Sequence, residues 1–247
     1  RLNRQKSLFL SIAAHDLRAP LTVILGSASL LLAATAQLPQ SASDQQAELS
    51  EGLAMICSQV DKLNRLVSDF LDLDQIEQGK LVLRPTRCDL IPLIQEVAAA
   101  LRPQAESKQQ ALNLDLAPSL PLLADPERVR QILYNLISNA IKYTPEGGRI
   151  DVQARADGQE VSFMVKDNGW GIPASEMDQL FQLYHRAAEA RRSQTRGYGL
   201  GLYIVKTLVD AHHGRIAVQS QPGQGTQFTV HLPVDPGPGE SASPGAA

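Results

Sequence analysis

The stretch VSFMVKDNGWGIP, residues 161–173, carries the most informative local pattern in this chain of 247 residues. Residues 161–166 are rich in strand-forming side chains and predict a β-strand. Asp167 follows directly, and Gly169 and Gly171 let the backbone approach a ligand closely. A carboxylate in this position can accept a hydrogen bond from an exocyclic amine such as that of adenine. The same DxGxG pattern also fits a simple tight turn.

Similar runs flank this stretch and predict further strands at residues 81–83, 112–116, 150–156, 215–219 and 226–232. Helices are predicted near residues 89–106, 126–143 and 200–212. Asp125 followed by Pro126 indicates the start of the second helix, as a cap and then Pro at the first helical position. Gly214 predicts the end of the third helix. This half of the chain therefore predicts an α/β sandwich, with a mixed sheet covered by helices on one face.

The first 80 residues show no strand pattern and instead carry two apolar stripes with alternating spacings of four and three. The first stripe is Leu10, Ala14, Leu17, Leu21, Ile24, Ala28 and Leu31. The second is Leu49, Leu53, Ile56, Val60, Leu63, Val67 and Phe70. Such seams are typical of helices packed in a left-handed bundle. Residues 37–45, QLPQSASDQ, predict the turn between the helices, with Pro39 as breaker and Ser43 or Asp44 as cap.

An antiparallel helical hairpin cannot bury a seam on both flanks. Hairpins of this kind usually dimerise into a four-helix bundle, and packing against the rest of the same chain is the alternative. Gly79 predicts the end of the second helix. We therefore expect an α+β protein with a helical domain at 1–79, an α/β domain at 80–235 and a disordered tail at 236–247, where Pro, Gly, Ser and Ala dominate.

Composition narrows the class of protein. The net charge is −3 and no long basic run occurs, which argues against nucleic acid as a partner because phosphate contacts need clustered Lys and Arg. Cys57 and Cys88 fit no metal or redox spacing and are expected to be reduced thiols. The chain opens in helical register without Met, a signal peptide or a membrane-spanning run. We expect a cytoplasmic fragment of a longer protein, either soluble or membrane-anchored.

His15 lies on the first predicted helix but outside its apolar seam. Together with Asp16 it follows Ala14 and is expected to face water, where a neutral ring nitrogen is available as a nucleophile near pH 7. Asp16 can hold the ring N–H and fix the tautomer. Pro20 is expected to kink or loosen the helix one turn later. On these residues alone, a solvated surface pair is the simpler interpretation.

The predicted helix at 126–143 carries amides on one face. Asn135 and Asn139 are four residues apart, with Lys142 close by. Amides on an otherwise apolar helix are costly unless something polar meets them. An Asn carbonyl can ligate Mg²⁺, and a Lys ammonium can meet a phosphate. The alternative is that the two amides cap neighbouring backbone groups.

Three glycines at two-residue intervals lead into the third predicted helix. They are Gly197, Gly199 and Gly201. Unobstructed N–H groups at the positive end of a helix suit an anion. The basic stretch before them, residues 180–196, fits either a solvated loop or a mobile lid over a polyphosphate. The lid arginines would be Arg191, Arg192 and Arg196.

Six stretches resemble, in order, the motifs of the sensor histidine kinases. FLSIAAHDLRAPLTVI (9–24) resembles their histidine box and NLISNAIKYT (135–144) their asparagine box. DNGWGIP (167–173), LFQLYHR (180–186) and GYGLGLYIVK (197–206) are similar to the first glycine box, the phenylalanine box and the second glycine box. GQGT (223–226) resembles the last element of the family. The resemblance covers about residues 7–233.

The resemblance implies a dimerisation and histidine phosphotransfer domain at 1–79 and a catalytic ATP-binding domain of the Bergerat type at 80–235. It makes His15 the phospho-acceptor and Asp16 its general base. Asp167 would bind the adenine amine, backed by Thr226, and Asn139 would hold Mg²⁺. The other implied nucleotide-site residues are Asn135, Lys142, Tyr143, Gly169, Gly171, Gly197, Gly199, Gly201 and, as a lesser candidate, Arg186.

The implied activity is ATP-dependent autophosphorylation of His15 and phosphotransfer to an aspartate of a response regulator in two-component signalling. ATP and Mg²⁺ are the implied cofactors. The implied partners are a second copy of the chain, a receiver domain and a sensor domain upstream of this fragment. The alternatives are an ATP-binding pseudokinase, against which Asn139 and Asp167 argue, and a GHKL-type ATPase, against which the histidine box argues.

One position departs from the family pattern. The residue four past the histidine is often Thr or Asn in this family, where it helps position the water that dephosphorylates the regulator. Ala19 stands here and can hold no water, so we expect weak regulator phosphatase activity with intact kinase activity. Thr22, two turns from His15, is a more distant substitute.

Overall fold

A computed structural model of the protein describes residues 21–28, 67–184 and 199–235, with positions 31, 52, 53, 56, 59, 60 and 63 between them. The chain divides into two compact units, Arg1–Lys80 and Leu81–Ala247. No helix within the described ranges is both long and apolar enough to cross a bilayer. The tail at 236–247 and the predicted turn at 37–45 lie outside the described residues.

The described residues of the first unit are helical as far as Glu77. The segment 67–77 ends in a turn at Gln78 and Gly79, and Gly79 has a φ of +63°, a conformation that glycine adopts without strain. The predicted second stripe separates into two columns. Leu53, Val60 and Val67 lie seven residues apart and are 54%, 40% and 42% exposed. The alternate positions are half-buried; they are Ile56, Leu63 and Phe70.

The second unit contains, in its described residues, seven strands and four helices. In chain order they are β1 Thr86–Asp89, α1 Leu90–Ser107, β2 Ala111–Leu116, β3 Pro121–Ala124, α2 Pro126–Tyr143, β4 Arg149–Asp157, β5 Glu160–Asp167, α3 Ala174–Met177, α4 Gly201–Ala211, β6 Arg215–Gln221 and β7 Gly225–Pro233.

Five strands form one mixed sheet in the order β2-β4-β5-β7-β6. The pair β2–β4 is parallel, and the other three pairs are antiparallel. Alternate side chains of β4 and β5, such as Val152, Phe163 and Val165, are buried, and α1, α2 and α4 pack on the sheet. The expected α+β organisation, with helices over one face of a mixed sheet, is confirmed.

The main difference from the sequence prediction is a second, two-stranded sheet. β1 pairs antiparallel with β3, and neither strand was predicted. The run at 81–83, which was predicted as a strand, is irregular; its Val82 is 74% exposed. A strand needs a neighbour to satisfy its backbone groups, and local alternation does not supply one. The four-residue α3 was also not predicted.

The start of α2 and the end of α4 show how local sequence sets helix boundaries. Asp125 caps α2 by accepting from the N–H groups of Glu127 and Arg128, and Pro126 opens the helix, as predicted. The end of α4 is different, because the helix stops at Ala211, before Gly214. His213 takes the left-handed conformation, with a φ of +57°. The N–H groups of His213 and Gly214 then reach back to Asp210 and Val209, which closes a Schellman motif.

Candidate functional site

Asp167 stands at the end of β5 and is only 7% exposed. Its Oδ1 accepts from the N–H of Gly169 at 2.9 Å and from the N–H of Thr226 at 3.2 Å. Within the described part of the chain, no donor reaches Oδ2. Burial raises the pKa of Asp167, and the two backbone N–H groups lower it only in part. The carboxylate therefore has one oxygen bound by its own chain and one available to a donor from a ligand.

Two backbone turns touch each other around this carboxylate. A Cβ on Gly225, whose φ is +92°, would lie 1.9 Å from the Asp167 carbonyl oxygen. A Cβ on Gly169 would lie 2.3 Å from the Tyr143 carbonyl oxygen, and one on Gly171 would lie 2.0 Å from that of Gln221. Because these neighbours are backbone atoms, they cannot move aside easily. Only glycine fits these three positions.

Ser220 joins the two turns and was not identified from the sequence. Its Oγ accepts from the Ile172 N–H at 2.8 Å, and the same oxygen lies 2.9 Å from both the Gly225 carbonyl oxygen and Thr226 Oγ1. A serine in an edge strand where exposed and half-buried positions alternate gives no local signal of such a role. Together, five residues form the Asp167 corner: Asp167, Gly169, Ser220, Gly225 and Thr226.

The polar face of α2 meets the amino end of α4. Asn135 is half-buried, its amide nitrogen donates to the Gln131 carbonyl at 3.1 Å, and its Oδ1 would lie 2.8 Å from a Cβ on Gly201. Leu200 occupies the N-cap of α4 and supplies no side-chain hydrogen bond there. Asn139, one turn further along α2, is also half-buried. The structure thus brings the asparagine face together with the glycine entry of α4.

Aromatic contacts connect the end of α2 to the Asp167 corner. Lys142 Nζ lies 4.9 Å above the ring of Tyr143, and the Tyr143 ring packs edge-on against Trp170, with centroids 6.4 Å apart. The Trp170 N–H also donates to the Tyr143 carbonyl at 3.2 Å. Four predicted positions, Lys142, Tyr143, Gly169 and Asp167, are therefore connected through direct contacts.

Both ends of α2 are held by residues that sequence patterns did not indicate. At the carboxyl end, Lys108 Nζ donates to the Ile141 carbonyl at 2.8 Å, and Gln110 Nε2 donates to the Thr144 carbonyl at 2.7 Å. Burial lowers the pKa of Lys108. At the amino end, the N–H of Asp125 donates to His212 Nε2 at 3.1 Å.

His212 links α2 to α4. Its Nδ1 lies 2.7 Å from the Leu208 carbonyl, and its Nε2 accepts from Asp125, so the ring is held neutral with the proton on Nδ1. Burial lowers the pKa of His212 below its ordinary value of 6.5. These contacts fix the helix that carries Asn135 and Asn139 relative to the helix that Gly201 opens.

Several predicted residues lie outside the described ranges. They are His15, Asp16, Ala19, Arg186, Gly197 and the lid arginines Arg191, Arg192 and Arg196. The Tyr184 N–H donates to the Gly199 carbonyl at 3.2 Å, which joins the described residues on either side of the segment 185–198. Gly199 has a φ of +69°.

Two family models match this chain. Residues 5–79 match the His Kinase A (phospho-acceptor) domain, and residues 124–236 match the histidine kinase-, DNA gyrase B- and HSP90-like ATPase. The adaptive-response sensory kinase SasA of Synechococcus elongatus is 38% identical over 232 residues, which are 91% of this chain and 58% of that protein. The chain spans about three fifths of that relative.

Solved structures of histidine kinases are similar to this chain as well. Acinetobacter baumannii histidine kinase AdeS superposes with a TM-score of 0.61 at 25% identity, over 89% of this chain and 98% of that chain. Full-length ShkA in complex with AMPPNP superposes with a TM-score of 0.62 at 31% identity, over 92% of this chain and 45% of that one. This chain belongs to the two-component sensor histidine kinases and contains the phospho-acceptor and ATPase parts of their catalytic core.

Proposed function

We propose that this chain uses ATP to phosphorylate His15 and passes the phosphoryl group to an aspartate on the receiver domain of a response regulator. The observation that carries the nucleotide half of this proposal is the Asp167 corner, where a buried carboxylate keeps one oxygen for a ligand donor. Membership of the histidine kinase family supports the phosphotransfer half. The AMPPNP complex of ShkA supports nucleotide binding by this fold.

In this proposal, Asp167 selects the base. Its free Oδ2 accepts from the exocyclic amine of adenine, and the Thr226 N–H and the Gly169 N–H hold the carboxylate in place through Oδ1. Gly169, Gly171 and Gly225 keep side chains out of the space around it. A buried carboxylate that meets an amine donor gains a charge-assisted hydrogen bond, which offsets the cost of its burial.

The polar face of α2 would hold the phosphate side. Asn139 offers an amide oxygen, a ligand suited to Mg²⁺, with Asn135 one turn away and Lys142 supplying a positive charge. The amino end of α4 presents backbone N–H groups beside Gly199 and Gly201, with Leu200 unable to cap them. Mg²⁺, when bound, neutralises the charge of the phosphates. Gly197 and Arg186 are proposed to contribute to this side.

His15 is the proposed acceptor. A ring nitrogen forms a bond to the γ-phosphorus while the bond from that phosphorus to the bridging oxygen breaks, and ADP leaves with the bond electrons. Asp16 takes the proton that the ring releases or orients the ring for attack. The regulator aspartate then displaces the imidazole. Positioning and charge neutralisation supply most of the acceleration of such transfers.

The helical unit is proposed to dimerise. Leu53, Val60 and Val67 form an apolar column that remains 40–54% exposed in the single chain, and Leu21 and Leu25 of the other helical segment are 52% and 73% exposed. A second copy would cover these side chains in a four-helix bundle. We place the chain in the cytoplasm, where ATP and receiver domains are available, with its sensor region upstream.

The test is incubation with γ-labelled ATP and Mg²⁺, for wild type, His15→Gln and Asp167→Asn. We expect alkali-stable, acid-labile label on wild type, none on His15→Gln and a large loss on Asp167→Asn. Measurable ATP binding without any label on wild type would instead indicate a pseudokinase. Released phosphate at equal rates from wild type and His15→Gln would indicate a GHKL-type ATPase.

Ala19 is proposed to make the chain a weak phosphatase of its regulator. Ala19→Thr would restore a hydroxyl one turn from His15, and we expect faster dephosphorylation of the phosphorylated regulator with unchanged autophosphorylation. Ala19→Val is a matched control, because it adds similar volume without a hydroxyl. Equal dephosphorylation rates for wild type and Ala19→Thr would contradict this part of the proposal.

A further inference from the structure

Asp157, Glu160 and His231 gather at the end of the sheet opposite the Asp167 corner. Glu160 begins β5 and Asp167 ends it, so the two sites lie about 23 Å apart along the strand. The ligand atoms of the three side chains all lie within 4.8 Å of one another. We propose that they bind a divalent transition-metal ion of the zinc class. This site is independent of the nucleotide site.

Strand pairing fixes the backbone positions of all three residues. Asp157 pairs with Glu160 across the two-residue turn that joins β4 to β5, where Gly158 has a φ of +63°. His231 stands on the neighbouring strand β7 and pairs with Ser162, two residues along β5 from Glu160. Ligands on paired strands lose little conformational freedom on binding, which favours affinity.

The distances fit a metal better than they fit hydrogen bonds. His231 Nδ1 lies 3.5 Å from Asp157 Oδ2 and 3.6 Å from Glu160 Oε2, which is longer than an ordinary N–H···O contact. Metal–ligand bonds of about 2.0–2.1 Å give edges of about 3.3 Å in a tetrahedral zinc site. His231 Nδ1 is buried and, among the described residues, has no hydrogen-bond partner.

Arg215 orients one of the carboxylates and leaves its second oxygen to the site. The guanidinium of Arg215 contacts Glu160 Oε1, while Oε2 faces His231. In metal sites, a residue that contacts a metal-ligating side chain commonly fixes the orientation of that side chain. The carboxylates of Asp157 and Glu160 also make a 2+ ion electrostatically favourable despite the nearby Arg215 charge.

The donor set and the space beside it indicate the kind of ion. One imidazole and two carboxylates suit zinc, cobalt or nickel, whereas magnesium and calcium prefer oxygen-only sites. A cleft of about 780 Å³ adjoins the cluster and is lined by Asp157, Glu160 and Asp235 among others. It gives room for a water molecule as a fourth ligand.

The experiment is calorimetric titration of the chain with zinc chloride, without nucleotide or magnesium. We expect one zinc ion per chain for wild type, a loss of at least tenfold in affinity for His231→Gln and a similar loss for Glu160→Gln. The matched control is His213→Gln, which removes an exposed histidine outside the cluster and should leave affinity within twofold. Circular dichroism of each metal-free variant checks that it is folded.

Cobalt substitution gives a second readout. Cobalt bound by Asp157, Glu160 and His231 should show visible bands of a low-coordinate nitrogen–oxygen site, and these should disappear in Glu160→Gln. A thiolate charge-transfer band would place the metal on a cysteine and overturn the proposal. Equal zinc affinity in wild type and His231→Gln, or no binding to wild type at millimolar zinc, would show that the cluster is only an ion-pair network.

Discussion

Asp89 and Asp167 both end a strand, and both accept hydrogen bonds from backbone N–H groups, but their surroundings differ. Asp89 Oδ1 accepts from Ile91 and Leu120, each at 2.9 Å, and its Oδ2 accepts from the Ser119 hydroxyl at 2.6 Å. Asp167 is more deeply buried and accepts two N–H groups through Oδ1 alone. Both carboxylate oxygens of Asp89 therefore accept hydrogen bonds from the chain, whereas only Oδ1 of Asp167 does so in the described residues.

The two pKa values move in opposite directions. Burial raises the pKa of Asp89, but hydrogen bonds from Ser119, Leu120 and Ile91 outweigh it and the pKa falls below 3.8. Burial raises the pKa of Asp167 above 3.8 despite its two backbone donors. Ionised Asp89 therefore stabilises the fold, and this contribution disappears as the pH falls through its folded pKa. Ionised Asp167 costs stability, increasingly as the pH rises from 3.8 through its folded pKa.

The two aspartates differ as a structural carboxylate differs from a ligand-binding one. A charged side chain that destabilises the fold is a candidate ligand-binding residue. A side chain that stabilises its own strand and helix is explained by its structural role. The variants below test that distinction, in order of decreasing effect.

The largest effect is expected where the Asp167 corner is most crowded. Gly225→Ala would place a methyl group 1.9 Å from the Asp167 carbonyl oxygen at a φ of +92°, and we expect a loss of about 3 kcal/mol or more in unfolding free energy. Gly147→Ala is the control, because its φ is +75° with nothing within 4 Å, and should cost about 1 kcal/mol. Urea denaturation measures both. Equal losses would mean that backbone conformation, and not crowding, requires glycine.

Asp167→Asn should weaken ATP binding by about 30-fold or more, because it removes a charge-assisted hydrogen bond worth about 2 kcal/mol. The same variant should be no less stable than wild type at neutral pH, since a buried charge has been removed. Calorimetric titration and denaturation measure the two quantities. Asp115→Asn, an exposed carboxylate paired with Arg155, is the control and should leave ATP affinity unchanged. Retained ATP affinity in Asp167→Asn would contradict the assignment of the adenine-binding carboxylate.

Asp89→Ala should show the opposite behaviour. It removes the cap of α1 together with the contacts to Leu120 and Ser119, and we expect a loss of about 1.5 kcal/mol in unfolding free energy. ATP affinity should stay within twofold of wild type, as measured by the same titration. A parallel loss of affinity would mean that the two corners are coupled through the fold and are not independent.

His212→Gln should lower the unfolding free energy at neutral pH by only about 1 kcal/mol, because Gln retains a donor and an acceptor. The pH dependence is more diagnostic. Since burial lowers the pKa of His212 below 6.5, the unfolded chain takes up a proton first, and wild-type stability should fall as the pH drops below about 6.5. This fall in the unfolding free energy below pH 6.5 should be absent in His212→Gln and retained in His213→Gln. Unfolding titrations from pH 8 to 5 check it.

Elements that depend on local patterns could be predicted from the amino-acid sequence. Residues 126–143 form α2 within the predicted limits, because the Asp125 cap and Pro126 act on the helix they adjoin. Five of the six predicted runs are strands of the large sheet, since alternation reports burial directly. Gly169 and Gly171 were predicted to let the backbone approach a ligand, whereas the structure shows each of them packed against a backbone carbonyl of the same chain. The assigned roles of His15, Asn139 and Asp167 remain predictions that rest on the family motifs.

Contacts between residues far apart in the chain could not be predicted from the sequence and are seen only in the folded protein. Ser220 joins two turns separated by about 50 positions, His212 reaches Asp125 across 87 residues, and Lys108 reaches Ile141 across 33. β1 and β3 form because they pair with each other, which neither segment reveals alone. The cluster at Asp157, Glu160 and His231 likewise depends on strand order. These contacts arise when the whole core closes, and a local sequence pattern contains no information about its partner.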